Sequence, residues 1–368
     1  MSSTHTQSVR RVVAQHPAHR DDIGDLVTRR PLPGPGVDQL DPFLFLNHHG
    51  PQVYPANNRG LPFGPHPHRG FETVTFILEG SLAHADSAKH QSVIHAGGVQ
   101  WMTAGSGLVH AELSPAAFKR DGGDLEILQL WVNLPSRLKM SEPRYVGLQQ
   151  EGIPAVPLAG GGTLNLIAGE WQGQSGPIES LTGVFMSTLA LPAGAHEQLP
   201  VAPGRQVFLY VVSGDVTVGG EPAKAHHLIE LDRDGESLAI EAASDARLLF
   251  GHGDVIDEPV YSHGPFVMTT RDEIVQLTAT TLTGLIPNVT RGGDMAGLVY
   301  YLAGPGRANE HTRPMIVAGD ERITFRVEPG KELNKHDAFE IGYQLERPRR
   351  AHGTAVMTSV SEWDEEQQ

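Results

Sequence analysis

The feature that most constrains this chain is how short its apolar runs are, and how regularly glycine and proline cut them. Phe43-Leu44-Phe45-Leu46, Thr73 to Leu78 and Leu125 to Val132 are stretches of aromatic and aliphatic residues that read as strands. Between them lie Leu32-Pro33-Gly34-Pro35-Gly36, Glu79-Gly80, Gly97-Gly98 and Asp121-Gly122-Gly123, all of them turn-forming sequences. The 42 Gly and 27 Pro belong to this punctuation rather than to long helices. With helical periodicity almost absent, the pattern specifies an all-β sandwich or barrel.

The same reading divides the chain. Residues 1–20 are polar and are expected to form a flexible tail. Residues 21–150 hold a first set of strands, and a Pro/Gly-rich passage over 150–163 joins it to a second set over 164–255. The second set comprises Phe185 to Leu191, Val207 to Val212, Val216 to Val218, Leu238 to Glu241 and Arg247 to Phe250. Leu78-Glu79-Gly80 in the first unit and Val212-Ser213-Gly214 in the second close similar patterns, which suggests a duplicated barrel. Residues 256–278 form a return segment with a short helix, opened by the capping box Thr270-Arg271-Asp272-Glu273. Residues 279–368 are an extension with strand-like runs at Leu298 to Leu302, Ile323 to Val327 and Phe339 to Leu345. That extension reads equally as an added β-module or an oligomerisation arm.

Bulk properties narrow the function. A formal net charge of -15 disfavours direct nucleic-acid binding, which depends on neutralising phosphates. The chain has no Cys, so disulfides and thiolate metal sites are excluded and any metal must take imidazole or carboxylate ligands. No apolar run reaches the roughly 20 residues needed to cross a bilayer, and the polar N-terminus lacks a signal-peptide core. The expectation is a cytoplasmic protein with no membrane partner.

Among the 19 His, two placements carry chemistry. His66 and His68 are two apart, and residues so spaced on a strand face the same side. His110 and Glu112 repeat the spacing after the turn Gly105-Ser106-Gly107. Two strands of one barrel, each contributing a pair, would bring three imidazoles and one carboxylate to a divalent metal and leave positions open. A chain this rich in histidine also produces His-x-His by chance. The Pro-rich segment around Pro67 would equally suit two surface histidines, and Pro67 needs an edge or bulge position in any strand. The second pair favours the metal centre.

The residues here also carry a resemblance. Gly64-Pro-His-Pro-His-Arg-Gly-Phe-Glu-Thr-Val-Thr75 and Gly98-Val-Gln-Trp-Met-Thr-Ala-Gly-Ser-Gly-Leu-Val-His-Ala-Glu112 resemble the two cupin motifs as the pirin family carries them. Asp41 to Gly50, Leu128 to Pro135 and Gly264 to Thr269 are similar to pirins as well, so the likeness spans roughly residues 20–278. It implies two jelly-roll-like cupin barrels face to face, with metal in the N-terminal barrel alone, on His66, His68, His110 and Glu112. Fe(II) is the first expectation for that metal, with Mn, Co, Ni, Cu or Zn as alternatives.

The resemblance also implies a quercetinase-type dioxygenase, expected to act on a flavonol-like or enol/diol small molecule and dioxygen; Glu112, a carboxylate beside the metal, is the natural catalytic base. The competing reading is a non-enzymatic iron or redox sensor that binds a protein partner. Glu72, a ligand in many cupins, is read as a strand or supporting residue. His48 and His49 are placed either at the pocket mouth or in a turn beside Gly50; Trp101, Met102 and Gln129 either shape the cavity or fill the barrel, with core packing favoured for Trp101 and Met102. In the second barrel His196, His226, His227 and His252 have no matching ligand spacing, so that barrel is read as metal-free.

Overall fold

The computed structural model describes residues 8–274 and, beyond them, four strands: Val299–Tyr300, Arg313–Val317, Arg322–Arg326 and Thr354–Val356. The first barrel pairs a seven-stranded sheet with a four-stranded one. In spatial order the larger sheet runs Arg144–Leu148, Val99–Thr103, Phe71–Glu79, Gly123–Asn133, Phe43–Tyr54, Thr28–Leu32 and His19–Arg20. The smaller runs Phe63–His68, Leu108–Leu113, Ser81–Asp86 and Gln91–His95. The second barrel repeats the seven-plus-four plan with residues 155–253, completed by one strand from the N-terminus.

Side-chain alternation separates three cores. Ile77, Leu82, Ile94, Leu125 and Ile127 fill part of the first barrel. Val207, Leu209, Val211, Leu238, Ile240, Leu248 and Phe250 fill the second. Between the barrels, Val74, Phe76, Leu128 and Leu130 meet Met186, Phe208, Tyr210 and Leu249. There the Phe43 and Phe208 rings lie 5.0 Å apart. The large sheets are therefore buried on both faces, which is why Val207 to Val212 is a continuous apolar run rather than an alternating one.

The N-terminus departs from expectation. Instead of a loose tail, Val12–Pro17 forms the edge strand of the second barrel's large sheet, paired with His227–Leu231. Arg10 anchors it: the side chain is fully buried, and its guanidinium donates to the carbonyls of Ala202, Arg205, Asp232 and Gly235 at 2.7–3.1 Å. Only Val12-Val13-Ala14 signalled a strand in the sequence, and that run was too short to be read as one.

At the other end the capping box forms as expected. Glu273 N donates to Thr270 Oγ1 (3.2 Å), and Thr270 N donates back to Glu273 Oε2 (2.8 Å). Residues 271–274 are helical. A one-and-a-half-turn helix, Ala116–Asp121, was not anticipated. In the extension, the strand Val299–Tyr300 falls within one expected run and Arg322–Arg326 overlaps another, offset by one residue. The run Phe339 to Leu345 lies outside the described residues. No described helix is long and apolar enough to cross a membrane.

Candidate metal centre

Phe63–His68 is an edge strand of the four-stranded sheet, which is how it tolerates Pro65 and Pro67: their missing N–H groups remove no interior ladder bond. Its partner is Leu108–Leu113, with His110 opposite His66 and Leu108 opposite His68. A register shift follows, so that Glu112 stands opposite Phe63. Beside it the Gly64 carbonyl accepts a hydrogen bond from His66 Nδ1 at 2.8 Å. That bond sets the tautomer of His66 and leaves Nε2 as its free ligand atom.

The result is a cluster. One nitrogen from each of His66, His68 and His110 lies within 4.8 Å of the others. Ring centroids are separated by 4.4 Å for His66–His110, 4.8 Å for His66–His68 and 4.9 Å for His68–His110. Both nitrogens of His68 and both of His110 are buried without a hydrogen-bond partner among the described residues. One nitrogen of each ring faces this common point, and for His68 and His110 it has no partner there; such buried orphans are costly unless a ligand satisfies them, and a divalent cation would do so. Burial holds His68 and His110 well below the ordinary histidine value, reinforced by neighbouring imidazoles. It also lowers His66, against the opposing effects of the Gly64 bond and the Glu112 charge. All three are thus kept as neutral rings, the form that ligates metals.

Glu112 shares this interior and is held in place. Thr75 Oγ1 donates to its Oε1 (2.9 Å) and Gln129 Nε2 to its Oε2 (2.6 Å). Each oxygen retains a further lone pair. Glu112 is not part of the 4.8 Å histidine cluster. Glu72 points away: it shares strand parity with Val74 and Phe76, faces the second barrel, and accepts from Thr103 Oγ1 at 2.6 Å. Burial raises its pKa.

The turn reading of His48 and His49 does not hold, because both lie buried in the strand Phe43–Tyr54. His48 faces the second barrel, between Tyr210 and Glu126 at 2.9 Å each. His49 faces inward against Thr28 Oγ1 (2.9 Å), and burial takes it down to about 3. Trp101 and Met102 are buried in core clusters, as expected. In the second barrel His196 is largely exposed beside Glu241, while His252 stacks on Phe185 and accepts from Arg205 Nε.

Three groups were missed. An aromatic wall of Phe45, Trp131 and Phe71 adjoins His68, with the Trp131 ring 4.5 Å from each phenyl and 5.5 Å from His68. Lys139, buried, donates to Gly70 O, Asn133 Oδ1 and Val267 O, tying the strand Phe266–Met268 to the start of Phe71–Glu79. His84 and Asp86 lie one strand away from the cluster, and their i, i+2 spacing is the signal for them in the sequence.

Comparison with known proteins decides the family. The family model described as Pirin matches residues 25–132, and that described as Pirin C-terminal cupin domain matches residues 186–280. The chain belongs to the pirin family. It is 41% identical to a pirin-like protein of Caulobacter vibrioides over 258 residues, covering 70% of this chain and 91% of that one. It is 39% identical to the pirin of Homo sapiens, over 67% of this chain and 83% of that one. Among solved structures, quercetin 2,3-dioxygenase from Acinetobacter baumannii superposes with a TM-score of 0.69 at 32% identity, over 74% and 96% of the two chains. The Escherichia coli pirin YhhW, solved in complex with nickel(II), shares the fold at 23% identity and a TM-score of 0.54, over 66% and 99%.

Proposed function

We propose that this protein is a metal-dependent dioxygenase of quercetinase type, with a single divalent metal ion, Fe(II) in the first instance, held by His66, His68, His110 and Glu112. The observation that carries the reading is the cluster of three imidazole nitrogens, one each from His66, His68 and His110, with those of His68 and His110 partnerless, beside an anchored carboxylate in the interior of one barrel. The likeness to a quercetin 2,3-dioxygenase supports the substrate class. When bound, a divalent metal supplies Lewis acidity that lowers the pKa of a coordinated hydroxyl.

The chain's own residues do the rest. Glu112 accepts the proton of the substrate's enolic hydroxyl, and the Thr75 and Gln129 donors hold its carboxylate toward the site. The partly exposed faces of Phe45 and Trp131 offer a flat apolar surface for an aromatic ring system. His66 is the most exposed of the three imidazoles and marks the open side, while His68 and His110 are shielded from water.

The test is oxygen consumption on quercetin by the iron-reconstituted protein and by Glu112→Gln. Turnover in the wild type, with a loss of at least about 100-fold in a variant that keeps its metal, supports the assignment. No oxygen uptake by the metal-replete wild type overturns it.

A further inference from the structure

His84 lies on Ser81–Asp86, directly opposite Glu112 on the neighbouring strand, while Asp86 lies opposite His110. Residues paired in this way project to the same face of a sheet, so His84 and Asp86 look into the interior that holds the histidine cluster. The His84 ring centroid is 5.4 Å from that of His110, yet His84 is not one of the clustered ligands.

Its surroundings fix it on two sides. Nε2 lies 3.0 Å from Asp86 Oδ2, and the ring stacks on Tyr145 at 3.9 Å with an interplanar angle of 10°. Tyr145 is itself held by a hydrogen bond to Ser92. Asp86 is immobile: Oδ1 accepts the backbone N–H groups of Ala88 and His90, and Oδ2 accepts from the ring of His90 as well as from His84. With Oδ2 as acceptor, the tautomer that fits this geometry has its N–H at Nε2 and presents Nδ1 as a lone pair. Among the described residues nothing hydrogen-bonds to that Nδ1. A rigid, buried imidazole whose second nitrogen is unused, beside a metal-binding cluster but outside it, is built to bind something that enters the site.

We propose that His84 is a substrate-positioning residue, its Nδ1 accepting a hydrogen bond from a second hydroxyl of a polyhydroxylated aromatic substrate, with Asp86 setting the tautomer that makes this bond. The proposal rests on the dioxygenase reading for its substrate class and narrows that class to molecules with a hydroxyl beyond the one that Glu112 deprotonates. Asp86 acts only through His84. Asp86→Asn is the decisive variant, because Asn keeps an oxygen for the two backbone donors while its amide donates to His84 Nε2. That moves the ring proton to Nδ1 and turns the acceptor into a donor.

The experiment measures affinity by quenching of tryptophan fluorescence in the zinc-loaded full chain, where binding is separated from turnover. The probes are quercetin and 3-hydroxyflavone, which lacks the additional hydroxyls. The wild type is expected to favour quercetin by roughly tenfold, about the discrimination one well-placed hydrogen bond supplies. Asp86→Asn and His84→Phe should lose that preference while keeping one zinc per chain and an unchanged affinity for 3-hydroxyflavone. His84→Gln, which retains an acceptor oxygen, should recover part of it. A preference that persists in zinc-replete Asp86→Asn overturns the proposal, as does a wild type that binds neither flavonol or does not distinguish them. Oxygen consumption by the iron-loaded protein is measured alongside. An intact preference without oxygen uptake leaves His84 in this role and removes the dioxygenase reading alone.

Discussion

Acidification tests the packing of both barrels at once. His49 is enclosed in the first barrel and His252 is packed in the second, and burial brings each down to about 3 from an ordinary 6.5. For His252 the charge of Arg205 adds to the effect. A base with a depressed folded-state pKa stays neutral in the native protein while the unfolded chain takes up a proton. The unfolded state therefore binds more protons between pH 6.5 and 3, and stability present above that window is lost as the pH falls through it. At pH 5 each histidine withdraws about 2 kcal/mol, at 1.36 kcal/mol per pH unit, so the pair withdraws about 4 kcal/mol. At this chain length a kilocalorie moves the melting temperature by about 1–2 °C, so Tm should fall by roughly 4–8 °C between pH 7 and pH 5. Calorimetry on the zinc-loaded protein, with metal occupancy checked at each pH, reads this directly. His252→Gln should remove about 2 kcal/mol of that loss and so reduce the slope. A Tm that is flat over this range, or a slope unchanged in His252→Gln, would refute the assignment of the loss to these two rings.

Other outcomes follow from single contacts. Arg10→Ala removes four hydrogen bonds from a fully buried guanidinium to backbone carbonyls, and should cost about 3–5 kcal/mol in urea unfolding while freeing the N-terminal strand to hydrogen exchange. Gly70, at φ +88, approaches Val267 so closely that a Cβ would strike its carbonyl oxygen; Gly70→Ala should cost about 1–3 kcal/mol and raise amide exchange across Phe266–Met268. Thr75→Val leaves Glu112 Oε1 without its donor and should lower quercetin turnover several-fold, with metal content and Tm little changed.

How much of this was readable in the sequence depended on range. His66 and His68 were legible because an i, i+2 spacing has one meaning on a strand, and the difficulty of Pro67 disappears once Phe63–His68 is seen to be an edge. The strand and turn pattern also carried the barrels, since alternation and Gly/Pro punctuation are local. Contacts set by register across strands were hidden. Nothing in the sequence places His84 opposite Glu112, or sends the Lys139 side chain to Gly70 and Val267. The placement of His48 was hidden for a related reason. Two adjacent residues on a strand face opposite sides, and without the second barrel in view His48 had no visible partner. The N-terminal strand escaped because its stability comes from Arg10 reaching carbonyls contributed by residues 202–235, not from its own composition.

The central claim is that three imidazoles and Glu112 hold one metal ion, and its most direct test is elemental analysis after anaerobic reconstitution with Fe(II) and desalting. The wild type should carry about one iron per chain and His66→Ala and His110→Ala almost none, with folding of the variants verified by circular dichroism. A wild type that retains no metal, or variants that retain as much as the wild type, would contradict the account.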